Sequence, residues 1–112
     1  MNAAHRYSVG EMANFQKTLR DKRRAWLEAN HKRSDRCHYC RNRTVLLARG
    51  ANSKIKQVPG TFHATLDHAT PTARGGKDWP TNYRLCCNTC NGLKADMTET
   101  EYRKLLVEEG VL

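Results

Sequence analysis

Large apolar side chains are scarce in this chain. Leu, Val, Ile and Phe together make up 18 of 112 residues, about 16%, with a single isoleucine. That is below the ~20% under which a highly charged chain is expected to stay unfolded, and it excludes a sizeable apolar core. Long apolar runs are missing too. The opening MNAAHRYSVGEMANF has no uninterrupted apolar stretch of the secretory kind, and no run of about 18 apolar residues occurs anywhere. Secretion by that route and membrane spanning are therefore not expected, and the expected location is the cytoplasm. Acidic residues are the third shortage: 11 Asp and Glu face 20 Lys and Arg, a formal net charge of +9. There is no internal repeat and no low-complexity tract. Either such a chain is largely unfolded or something other than apolar burial holds it together.

What the chain does have is five cysteines, four of them in Cys37-His-Tyr-Cys40 and Cys87-Asn-Thr-Cys90. In a reducing compartment, close pairs of this kind bind metal more often than they bridge. Two CxxC knuckles are what a tetrahedral four-cysteine zinc site needs; a redox or disulfide role is the alternative. The 46 residues between the knuckles exceed the usual zinc-ribbon interval, so the metal would join distant parts of the chain. Cys86 is left over as a small buried hydrophobe, and His38 reads as a bystander inside its knuckle.

The charge is uneven. Residues 1–43 are net +7, residues 44–94 net +5 and residues 95–112 net −3. A basic excess over both the arm and the cysteine-bearing middle points to a polyanionic partner. Ser8-Val-Gly-Glu11 fits a capping box, opening a helix to about Asn30 with Met12, Phe15, Leu19 and Trp26 on one face. Its basic remainder, which includes Arg23 and Arg24, is either a solvated face or a surface lying along phosphates. A polar turn from His31 to Arg36 leads into the first knuckle. Thr44–Leu47 reads as a short strand and Arg49–Gly60 as a loop. Thr61–Leu66 alternates apolar with polar residues, a half-buried strand ending at Asp67-His68. His63 on that strand is a surface or core side chain. A loop follows from Ala69 to Thr81, then a strand over Tyr83–Cys86 and a helical segment over Asn88–Ala95. Thr98-Glu-Thr-Glu101 caps a last helix that runs to Gly110. Tyr83, Tyr102 and Trp79 are read as packing residues.

Asp67-His68, Pro71, Gly75-Gly76, Asn82, the second CxxC, Asn91 and Lys94 occur in that order. This ordered set resembles the HNH endonuclease motif, in particular the zinc-containing branch with two CxxC knuckles and the ββα-metal fold. The resemblance covers roughly residues 37–98. It departs from the family's name in its third letter, where Asn91 stands for the frequent His. It implies DNA phosphodiester hydrolysis leaving a 3′-hydroxyl and a 5′-phosphate.

Chemistry and resemblance together suggest roles. His68 is the expected general base, since imidazole most readily takes a proton near neutral pH. Asp67 and Asn91 offer hard oxygens to one divalent cation, Mg²⁺ or Mn²⁺. Asn82, like the family's middle Asn, would tie the long loop across the hairpin. Lys94, Arg74, Arg23 and Arg24 are the expected nucleic-acid contacts. Asp67 and His68 are adjacent and should point to opposite sides of a flat strand, so the strand must end, twist or bulge there.

The expectation is a small α+β, zinc-stapled ββα-metal domain with flanking N- and C-terminal helices. Residues 1–36 form a basic helical arm, residues 37–98 the core and residues 99–112 a C-terminal helix packing on it. Cys37, Cys40, Cys87 and Cys90 hold structural zinc. DNA is the expected partner; a homodimer or a larger complex stays open, and neither a membrane nor a small organic cofactor is expected. The rival is a zinc-stabilised module that binds nucleic acid without cutting it.

Overall fold

The computed structural model describes residues 8–48 and 62–112. Helix α1 spans Val9–Arg33, strands β1 and β2 are Ala64–His68 and Tyr83–Cys87, and helices α2 and α3 are Asn88–Lys94 and Glu99–Glu108. The two strands pair antiparallel, with Ala64 opposite Cys87, Leu66 opposite Leu85 and His68 opposite Tyr83. The fold is thus α+β, with a hairpin followed by a short helix. Residues 49–61, with the expected Arg49–Gly60 loop and the start of the Thr61–Leu66 strand, lie outside the described residues.

Local chemistry accounts for the helix ends. Ser8 accepts from the Glu11 amide at 3.0 Å and its own amide donates back to the Glu11 carboxylate at 3.1 Å. The same reciprocal pair between Thr98 and Glu101 starts α3. His31, Lys32 and Arg33 in the last turn of α1 suit the negative end of the helix dipole. The expected polar turn therefore begins three residues late, at Ser34. Helix α2 is capped by a zinc-site residue: the Cys87 sulfur accepts from the Cys90 amide at 3.3 Å.

The buried side chains form two clusters. In one, Ala64 and Leu85 meet Leu27 of α1, with Trp26 and Leu46 at the margin. The other is sulfur-rich, made of Cys37, Tyr39, Cys86, Cys87 and Cys90 and closed by Tyr102 and Leu106 of α3. His63 is buried as well.

Two expectations fail on geometry. The apolar face of α1 packs only in its second half, and Val9 and Phe15 are 89% and 63% exposed. A 25-residue helix is about 37 Å long, whereas five-residue strands reach about 17 Å, so α1 overhangs the sheet. Thr44–Leu47 is not a strand: only Val45 makes a bridge, exchanging backbone bonds with Phe62 and Ala64 beside His63. The loop after β1 is pinned by glycine. A Cβ on Gly76 would lie 1.8 Å from the Thr70 carbonyl oxygen, and Gly75 has φ +89°. None of the helices among the described residues is long and apolar enough to cross a membrane.

Candidate metal centre and active site

The hairpin and the turn before it bring the four knuckle cysteines together. Their sulfurs all lie within 4.8 Å of one another, and Cys40 and Cys87 are 3.8 Å apart. Zinc–sulfur bonds of about 2.3 Å in a tetrahedron require edges of about 3.8 Å, so the site fits the ion. Amide groups face the sulfurs: Tyr39 N–H donates to Cys37 and the Asn42 side chain to Cys40. Hydrogen bonds from Cys87 and Cys90 hold the Cys37 thiol well below its ordinary range. The bonds to Cys37 in turn push Cys87 up and raise Cys90 to about 12. One thiolate, on Cys37, is thus favoured inside the cluster, while Cys87 and Cys90 stay protonated until a cation takes the protons' place. Cys86 is excluded from it; burial pushes its thiol up, and its sulfur sits 3.5 Å from the Thr65 hydroxyl. His38 is off the metal too, its ring held by Glu99 and Arg103.

At the end of β1, Asp67, His68 and Asn91 line one cavity of about 180 Å³ together with Thr72 and Asp96. The strand pairs regularly through His68 and then stops, so no bulge is needed. The two adjacent side chains take different surroundings at the strand's last residues. His68 Nε2 lies 2.6 Å from an Asp78 carboxylate oxygen, and its ring meets Tyr83 edge-on at 5.4 Å. Arg23 of α1 grips the same carboxylate through two nitrogens at 2.9–3.2 Å. Burial pushes Asp78 up, but the Arg23 and His68 bonds outweigh it and bring the carboxyl to about 2. Asp78 is therefore ionised at neutral pH and can only accept. Its partner Nε2 must carry a proton, which leaves the lone pair of neutral His68 on Nδ1. Nδ1 makes no hydrogen bond among the described residues.

Asp67 is buried and already engaged. It accepts from the Tyr39 hydroxyl at 2.7 Å, and the Lys94 ammonium stands 3.3 Å away. Burial and this carboxylate push the Tyr39 phenol up. Asn91 donates to the Thr65 hydroxyl at 3.0 Å and to the Leu66 carbonyl at 3.4 Å, so its own carbonyl oxygen is left for another partner. Asn82 spans the loop: it accepts from the Thr70 amide and donates to the Thr70 and Lys77 carbonyls, each at 2.9 Å. The two oxygens, Asp67 and Asn91, suit a hard divalent cation, although Lys94 competes for the carboxylate.

Of the expected nucleic-acid contacts, Lys94 needs correction, and the three arginines are found in ion pairs. Lys94 is fully buried, its ammonium donating to the His68 carbonyl at 2.9 Å, and cannot meet a phosphate. Arg23 is committed to Asp78, Arg24 to Glu28 and the Leu47 carbonyl, and Arg74 to Glu101. Asp78 was missed, although a signal existed: residues 44–94 hold only two acids, Asp67 and Asp78.

Residues 52–96 match the family model of the HNH endonucleases. No curated protein and no solved structure matches the chain. The HNH segment contains β1, β2, α2 and the second knuckle, whereas Cys37 and Cys40 precede it. Family and four-cysteine cluster together support a nuclease or nucleic-acid-binding role with metal.

Proposed function

We propose that this protein is a metal-dependent HNH endonuclease that hydrolyses DNA phosphodiester bonds. The reading rests on one observation above all. An imidazole with an unengaged nitrogen and a carboxylate, adjacent at the end of β1, line a single cavity with an amide from α2. His68 Nδ1 would take the proton of the attacking water, and ionised Asp78 would stabilise the imidazolium that results. Asp67 and Asn91 would hold the divalent cation, whose chemistry is charge neutralisation at the phosphoryl group and at the leaving 3′-oxygen. Asn82 ties down Thr70 and so steadies the backbone that follows His68. The products would be a 3′-hydroxyl and a 5′-phosphate. The test is nicking of supercoiled plasmid by zinc-loaded protein with Mg²⁺ or Mn²⁺ added and withheld.

One feature favours the rival, a zinc module that binds nucleic acid without cutting. The Lys94 ammonium sits against Asp67 where a cation would bind, and a like charge there weakens metal affinity. DNA binding with no nicking under any divalent ion would decide for that rival.

A further inference from the structure

Lys94 is buried, and Arg23, Arg24 and Arg74 are paired with carboxylates. Exposed cations without an ion pair among the described residues include Arg20, Lys32, Lys77 and Lys104. Three more, Arg33, Arg36 and Arg41, gather where the end of α1, the first zinc knuckle and β2 converge. A groove of about 450 Å³ there is lined by Arg33, Arg36, Arg41 and Arg84, with Trp26 and Tyr83 also in its walls. No carboxylate is among its lining residues. Arg33 is exposed and makes no ion pair among the described residues. Arg36 donates to the Arg41 carbonyl at 3.1 Å, and Arg41 reaches the Cys37 carbonyl at 3.5 Å. Backbone carbonyls orient these guanidinium groups without cancelling their charge. Arg84 alone is paired, with Glu99 at 3.2 Å.

Arg41 adds an independent sign. It has φ +67°, in the left-handed region where glycine fits without strain and a branched or long side chain rarely sits. An arginine held in that conformation directly after Cys40 projects charge from the zinc turn at a conformational cost. The groove and the candidate active site are separate hollows on either side of one side chain: Tyr83, in the groove's wall, packs edge-on against the His68 ring at 5.4 Å.

We propose that this groove is the track for the substrate's phosphate backbone, with Arg33, Arg36 and Arg41 each meeting a phosphate. The zinc ion would then do more than staple the fold, because the knuckle it closes carries two of the three cations. The proposal takes its substrate from the nuclease reading but is tested without cleavage.

The experiment is DNA affinity by fluorescence anisotropy across a NaCl series. It uses zinc-loaded full-length protein without added Mg²⁺ or Mn²⁺. Each phosphate contact contributes about 0.9 to the slope of log affinity against log salt on duplex DNA. R33Q/R36Q should lower that slope by about 2 and R41G by about 1, while K104Q on the exposed face of α3 leaves it unchanged. R41G should keep or raise the thermal midpoint, since glycine accepts the positive φ, which separates lost contact from lost fold. An unchanged slope in R33Q/R36Q and R41G overturns the proposal, as does an equal loss in K104Q. Native protein that nicks plasmid beside such unchanged slopes would retain the nuclease reading and lose the groove. Reduced slopes with no nicking would retain the groove and lose the nuclease.

Discussion

The four-cysteine cluster and the Asp67 cavity are both built around helix α2, and they differ in every respect that sets affinity. The cluster offers four sulfurs within 4.8 Å of one another and N–H groups facing them. The cavity offers two oxygens, one of which belongs to a carboxylate beside a buried ammonium. The first arrangement makes the metal part of the fold. The second suits a cation that arrives with its own waters and a substrate phosphate to fill the remaining positions. Under the proposed function, one short helix would serve a resident ion at its start, through Cys87 and Cys90, and a visiting one further along, through Asn91.

Removing the resident ion should have the largest effect. Cys87→Ser deletes a ligand and the cap of α2 together, and structural zinc in small peptides supplies roughly 10–16 kcal/mol of apparent binding energy. With so little apolar core, the expected outcome is an unfolded or severely weakened chain. Circular dichroism with metal content, repeated on native protein after exhaustive chelation, reads it out; full structure without zinc would refute the assignment.

Changing the support of the base should come next. Asp78→Asn replaces an obligate acceptor with a group that can also donate, so Nδ1 is no longer the only site for the lone pair of His68. Cleavage should fall about tenfold to a hundredfold, a part of the ~10²–10⁴ that a positioned base contributes. Single-turnover rates at saturating DNA measure it. A rate equal to native would show that His68 does not depend on Asp78.

The visiting ion should respond to its ligands rather than to the fold. Mg²⁺ and Mn²⁺ are expected to support activity and added Zn²⁺ to do so poorly. Asn91→His adds an imidazole nitrogen and should shift the preference toward Ni²⁺ or Co²⁺. Rates across these ions for both proteins decide it, and an unchanged profile would remove Asn91 from the site.

Much of this arrangement can be read from local sequence, because local rules govern it. Both capping boxes, both strands and α2 follow from spacing over three or four residues, and the CxxC pairs declare their ligands by themselves. The pairings that define the cavity are different in kind. Asp78 meets His68 from ten residues further along the chain, and nothing in the order of residues says that the loop between them returns its acid to the base. Lys94 is one turn from Asn91 as helical geometry requires, yet its flexible stem carries the ammonium inward to Asp67 and not out to a phosphate. Arg23 looks like part of a solvated basic face until α1 is laid against the sheet beside Asp78. The overhang of α1 is likewise a matter of relative lengths, which periodicity along one helix does not contain.

The smallest expected effect concerns acid. Asp78 is lowered from 3.8 to about 2 in the folded protein, so it binds protons less readily there than in the unfolded chain. Its contribution to stability is complete above about pH 4 and is lost as pH falls through about 2. It is on the order of 1–2 kcal/mol for a carboxylate this sheltered. Thermal or denaturant unfolding between pH 2 and 5 should show a shallower loss in Asp78→Asn than in native protein. Parallel curves would mean that the Arg23 clamp does not stabilise the fold.

The central claim is that His68 activates water in a metal-dependent cut, and it is tested most directly by the nicking rate of His68→Ala beside native protein. Zinc-loaded protein with Mg²⁺ or Mn²⁺ should convert supercoiled plasmid to open circles. The variant should lose about 10²–10⁴ in rate while DNA affinity and thermal midpoint stay close to native. A variant that cuts at the native rate, with binding and folding intact, would contradict the account.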